Sequence, residues 1–276
     1  MHLLKLTFKY IIFLLKEPNY FEQYRTFLLS ITENFNQIFD ERFTRELLRI
    51  YPIRLLVNIG RSIYFVNIQE NLSVLDHHTA DVGKNAITHN LSAFDNFQTF
   101  SIPRVDRLIK PFSSIELLTS NSSILVIGPR SEDDLLCLLG YGFKSEKIKG
   151  LDLISYSPWV DLGDMHKMPY EDNSWDAVIV GWVFNYSKAP ANAAQEIIRV
   201  AKNGAIIAVG IEYNPLTNEE IEKVYGYSID GTRTQSVAEI LSFFGEYVDD
   251  VFFSHDIVAK QKDKQSELMV IFSLKK

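Results

Sequence analysis

A chain of 276 residues, 46% of them hydrophobic, can bury a full core and has room for one large domain or a main domain with an extension. Its formal charge of −7 argues against a surface built to hold nucleic acid. The single Cys137 excludes an intramolecular disulfide and a cysteine-rich zinc cluster, which suits a reducing, cytoplasmic compartment.

The chain starts with "MHLLKLTFKYIIFLLKEPNY", whose longest clean apolar run is only Tyr10 to Leu15. Spanning a bilayer takes about 20 apolar residues, and Lys5, Lys9 and Lys16 interrupt this stretch. Residues 1–16 therefore read as a helix that either packs on the domain or rests peripherally on a membrane surface, packing being the plainer reading. Phe21, Tyr24, Phe27, Leu28 and Ile31 continue at three- and four-residue steps, and helical patterning extends to about residue 115. Around Ile63 to Ile68 a short strand or two fits as well. Asp76-His77-His78 has metal-binding chemistry, but adjacent residues point in different directions on any regular element, so a solvated turn is expected and no metal site is assigned. The sequons at Asn71, Asn90, Asn121 and Asn185 read as chance triplets.

From Ser122 the pattern becomes an alternation of strands and helices. "SILVIG", "KIKGLDLI", "WDAVIVGWV" and "AIIAVGIEY" are compact apolar runs separated by "SEDDLLCLLGYG", "GDMHKMPYED" and "APANAAQEIIRVAKNG". Repeated β-α-β with such strands implies a mostly parallel sheet covered on both faces. The helix from Ala191 places Ala194, Ile197, Ile198 and Ala201 on one face and is expected to stop at "KNG", with Gly204 as a left-handed C-cap. The chain closes with two strands joined by a charged loop, an antiparallel pair at one sheet edge.

Ligands on such sheets bind beyond the carboxyl ends of the strands, near the point where the winding reverses. Polar residues occur at four successive strand ends. Gly128 would let the backbone approach a ligand, ahead of a helix whose first N–H groups are free. Asp152 follows at close to the roughly 20-residue spacing at which a second-strand carboxylate reaches both hydroxyls of a ribose. Asp164 could accept from an exocyclic adenine amine, with Met165 as a polarizable wall. Gly181 to Tyr186 follow the fourth strand. Taken singly, each of these residues is also an ordinary cap or turn residue.

The segment from Ile124 to about Gly210, above all "DLGDMHKMPYEDNSWDAVIVGWVFNYSKAPANAAQEIIRVAKNGAIIAVG", resembles the class I S-adenosylmethionine-dependent methyltransferases of the broad type-11 group. The resemblance implies an α/β fold with a doubly wound, mostly parallel seven-stranded sheet and an antiparallel last strand. It spans residues 116–276, behind a mainly helical extension or cap of residues 1–115. It also implies S-adenosyl-L-methionine as cofactor, held by Gly128, Pro129, Arg130, Glu132, Asp152, Asp164, Met165 and Gly181. The first motif departs from the family's D-x-G-x-G-x-G pattern: Val126, Gly128, Arg130 and Glu132 stand at its positions, and only the first glycine remains. Charge complementarity would set Glu132 against the methionine ammonium and Arg130 against its carboxylate; the alternative is that the two pair with each other. His166 is the candidate base, having a pKa near operating pH, with Tyr186 beside the acceptor and Trp182, Glu212 and Tyr213 at the rim. The expected activity is methyl transfer to an oxygen or nitrogen of a small molecule, glycan or lipid intermediate. The competing readings are a catalytically inactive scaffold of the same fold, binding a partner protein or a membrane, and a different nucleotide-using enzyme such as a sugar-nucleotide oxidoreductase.

Overall fold

The computed structural model describes residues 42–76, 81–83, 86–94, 105–225 and 231–276. The expectations placed on residues 1–16 and 21–31, and on His77 and His78, lie outside these residues. Ahead of the sheet come α1 (Arg42–Leu48), α2 (Tyr51–Ser62), β1 (Ser73–Val74), α3 (Ala86–Phe94) and α4 (Val105–Phe112). Pro52 sits in the first turn of α2, where a missing N–H costs nothing. Residues Ile63–Ile68 are not strands, as their β-branched and aromatic composition allowed. They continue α2 as a π-helical segment, with the Gln69 N–H donating to the Tyr64 carbonyl. A helix already propagating meets no Gly or Pro between Arg61 and Ile68, and so overrides a local β preference.

The sheet region follows as β2 (Ile124–Ile127), α5 (Asp133–Gly140), β3 (Ile148–Asp152), β4 (Ile154–Ser155), β5 (Val160–Leu162) and β6 (Trp175–Gly181). It continues with α6 (Pro190–Val200), β7 (Ala201–Tyr213), α7 (Asn218–Tyr225), α8 (Val237–Phe244), β8 (Val248–His255) and β9 (Ser266–Leu274). Seven strands form one sheet in the order β5-β3-β2-β6-β7-β9-β8. The first five are parallel neighbours, and β9 runs antiparallel to both β7 and β8. The chain winds outward from β2 through β3 to β5, then crosses back to β6, so the winding reverses between β2 and β6. β1 and β4 make a separate small antiparallel pair, Ser73 opposite Ser155.

Alternation along the strands divides the core into two layers. Leu125, Ile127, Val178, Val180, Ile207 and Val209 face α6 and α8. Ile124, Val126, Ala177, Ile179, Ile206 and Ala208 face α5 and the earlier helices α1 and α4, which add Leu48, Leu108, Ile109 and Phe112. Both faces are thus dry, which is why the strands read as continuous apolar runs.

One helix end differs from expectation. α6 stops at Val200 and β7 begins at once with Ala201, whose backbone is extended. Gly204 is left-handed (φ +76°), but it serves an irregularity in β7, where the pairing with β6 jumps from Trp175–Ala201 to Ala177–Ile206. The sequence signal for a left-handed glycine was sound; the element it served was a strand. Among the described residues no helix is long and apolar enough to cross a membrane.

Candidate active site

A cleft of about 890 Å³, measured to its open mouth, lies over the carboxyl ends of β2, β3, β5 and β6 at the reversal of winding. Gly128, Pro129, Arg130, Asp152, Asp164, Met165, Gly181, Trp182 and Tyr186 all line it, so residues from four separate strand ends converge as the topology requires. Four sequence-selected residues, Glu132, His166, Glu212 and Tyr213, do not line it.

The first loop is tightly built. Gly128 is left-handed (φ +68°), and a Cβ there would stand 2.1 Å from Cγ1 of Val183. Its N–H donates to the Leu151 carbonyl at 2.8 Å, tying the loop to β3. Pro129 packs above Gly150, where a Cβ would come within 2.9 Å of its ring. Arg130 is also left-handed (φ +37°), without a glycine's freedom. Its N–H donates to Asp152 Oδ2 at 3.2 Å, and its Nε to Asn90 Oδ1 on α3 at 3.3 Å.

Asp152 is buried, and its second oxygen accepts the Ile154 N–H at 3.2 Å. Burial pushes its carboxyl up to about 6, against the opposing pull of the Ile154, Arg130 and Leu153 N–H groups and the Arg130 charge. Asp164 Oδ1 accepts the His166 backbone N–H at 2.9 Å and lies 2.7 Å from His166 Nδ1. The other ring nitrogen, Nε2, lies 2.7 Å from Ser187 Oγ. The His166 side chain is 1% exposed and does not line the cleft: the chain folds it behind Asp164, bridging the loops after β5 and β6.

Glu132 likewise does not line the cleft, although its neighbours Ser131, Asp133 and Asp134 do. Nor does it pair with Arg130. It is fully buried, with its carboxylate bonded by the Nε and Nη2 of Arg61 on α2, the latter at 2.8 Å. The turn from the loop into α5 points this side chain away from the ligand side. At the rim, Tyr213 is turned aside and donates to the Lys262 carbonyl at 3.0 Å, and neither it nor Glu212 lines the cleft. Trp182 does, in a left-handed conformation (φ +59°) with its ring packed on Gly210.

Sequence reasoning did not single out Asn90, Asp134 or Val183 at the cleft, or Arg54, Asn58 and Arg61 behind it. For the first three no local signal exists. The last three were legible as a polar i, i+4, i+7 stripe in "RLLVNIGR". Among the described residues no group of three His, Cys, Asp or Glu side chains could hold a metal ion.

Residues 145–209 match the family model described as "Methyltransferase domain". No curated protein matches the chain. Among solved structures, the chain is similar to an S-adenosylmethionine-dependent methyltransferase from Thermotoga maritima (15% identity, TM-score 0.44, 70% of this chain and 99% of that one). It is also similar to the Haloferax volcanii complex of the Trm112 methyltransferase activator with a methyltransferase (16% identity, TM-score 0.48, 71% and 98%). A third likeness is to the [4+2]-cyclase SpnF (15% identity, TM-score 0.45, 62% and 80%). The matched segment runs from just before β3 into β7, inside a doubly wound sheet that reverses between β2 and β6 and beneath a cleft at the reversal, and over those residues the chain is similar to the methyltransferase-domain family.

Proposed function

We propose that the protein transfers the methyl group of S-adenosylmethionine to an oxygen or nitrogen of a small molecule, glycan or lipid intermediate, within the cleft over β2, β3, β5 and β6. The observation that carries this reading is the convergence of Gly128, Asp152, Asp164 and Gly181 on one cleft. The residues present fit a nucleoside. A buried carboxylate that, among the described residues, meets backbone donors and the Arg130 charge, as Asp152 does, suits a pair of ribose hydroxyls, and Ile127, Leu151, Leu153, Met165 and Val183 offer apolar walls for a ring.

In this reading Asp152 accepts the ribose hydroxyls and Asp164 the adenine amine. His166, held between Asp164 and Ser187, orients Asp164 and does not act on the acceptor. Arg130 and Asp134 offer opposite charges for the amino-acid end, Asp134 taking the place first considered for Glu132. When bound, the cofactor supplies an electrophilic methyl group on a sulfonium. The chain's part is to align an acceptor in line with it and to keep water out. Trp182 and Tyr186 close that side of the cleft, with Tyr186 closest in role to the acceptor.

Calorimetric titration of the purified protein with S-adenosylmethionine and S-adenosylhomocysteine, repeated on Asp152→Ala, tests the site. Micromolar binding that the substitution abolishes is the expected result. Absence of binding by folded protein shown to carry no cofactor overturns the assignment of the site. For residues 1–16, peripheral membrane contact predicts that liposome flotation is lost when they are removed.

A further inference from the structure

One face of α2 is polar and yet buried. Arg54, Asn58 and Arg61 follow at i, i+4 and i+7, at 0%, 0% and 6% exposure. Helices normally bury an apolar stripe at this spacing. Here each of the three grips one residue of a continuous run at the start of α5. Asn58 Nδ2 donates to Ser131 Oγ at 3.0 Å, Arg61 binds the Glu132 carboxylate, and Arg54 Nε donates to Asp133 Oδ1 at 2.9 Å. Arg54 also reaches Asp106 on α4 at 2.9 Å, and the Arg61 guanidinium lies over the Trp159 ring, 3.9 Å from its centroid. Ser131 and Asp133 line the cleft.

The run they hold is the one that has lost the family's second and third glycines. Directly before it, Arg130 is left-handed (φ +37°), and the Ser131 N–H folds back onto the Pro129 carbonyl. Non-glycine residues resist such a backbone unless their surroundings over-determine it. Three side chains anchored in an adjacent helix, two of them charged and all desolvated, supply that over-determination.

Building on the cofactor reading above, we propose that Arg54, Asn58 and Arg61 are positioning residues of the cofactor loop. They hold residues 130–133 in the binding shape that glycines would otherwise permit. The helical segment before the sheet is then a structural part of the cofactor site.

The test is S-adenosylhomocysteine binding to the full chain, by calorimetry, in a cycle of Arg61→Gln with Arg130→Gly. Glycine adopts the left-handed backbone freely and relieves the loop of its need for a grip. With Arg130 present, Arg61→Gln is expected to weaken binding tenfold or more; in the Arg130→Gly background, less than threefold. Equal fold-changes in both backgrounds, or no change in either, overturn the proposal. If Arg61→Gln does not fold, Asn58→Ala, which strands no charge, decides. Threefold or greater weakening together with faster amide hydrogen exchange over residues 128–134 supports positioning, and any other outcome overturns it. Failure of the wild-type chain to bind would instead count against the cofactor reading itself.

Discussion

Asp152 shows how a single burial couples chemistry to pH. Its carboxyl titrates near 6 because burial disfavours the charge more than the backbone donors favour it. Folding therefore takes up a proton between the ordinary carboxylate range and about pH 6. The contribution of this group to stability is fully present below its unfolded pKa and is lost as pH rises through about 6. Ligand binding runs the other way, because ribose hydroxyls donate to the ionised form. Affinity for S-adenosylhomocysteine is expected to fall by up to about tenfold per unit as pH drops below 6. Titrations of the wild-type chain from pH 7.5 to 5 check this, and an affinity constant across that range would contradict it. His166 carries the opposite lesson. Its position two residues after Asp164 was legible, and so was its chemistry, but the turn that folds its ring toward Ser187 depends on a loop 21 residues further along the chain.

At the scale of elements, the two turn glycines separate conformation from space. Gly128 joins β2 to the loop before α5, and Gly204 lies in the irregular start of β7; both are left-handed. A Cβ on Gly204 meets nothing within 4 Å, whereas one on Gly128 overlaps Val183. Gly204→Ala should therefore cost about 1 kcal/mol, from backbone preference alone. Gly128→Ala should cost about 2–4 kcal/mol, because steric overlap adds to the same backbone term. Denaturant melts of both variants check the difference, and equal losses would contradict it. The grip of α2 on α5 belongs to this scale too. Cutting a buried ion pair such as Arg61–Glu132 from one side strands a charge, at a cost of about 3–5 kcal/mol. That is why its test needs the glycine cycle and the neutral Asn58 variant.

For the whole molecule, the boundary expected near residue 115 falls between segments that share a core. Leu48, Leu108, Ile109 and Phe112 pack with Val126, Ile179 and Ala208 on one face of the sheet. Expressed alone, residues 116–276 would leave that face open to water. Such a fragment is expected to be insoluble or to lack a cooperative thermal transition; a soluble, cooperatively folding fragment would show that the earlier helices are dispensable. The sequence alone determined the strand and helix alternation from Ser122 onward and the polar residues at four strand ends. These depend on local periodicity and on turn residues, which the chain carries in short windows. Tertiary structure decided which carboxylates face the cleft. Glu132, Asp133 and Asp134 are adjacent acids at one helix start, and only packing against α2 turns Glu132 to Arg61 while Asp133 and Asp134 line the opening. The same holds for Ile63–Ile68, whose strand-like composition gave way to a continuation of α2, a helix bound from outside by Ser131, Glu132 and Asp133 through its own Asn58, Arg61 and Arg54. Side-chain direction at a loop is set by partners distant in the chain, and no window of sequence contains them.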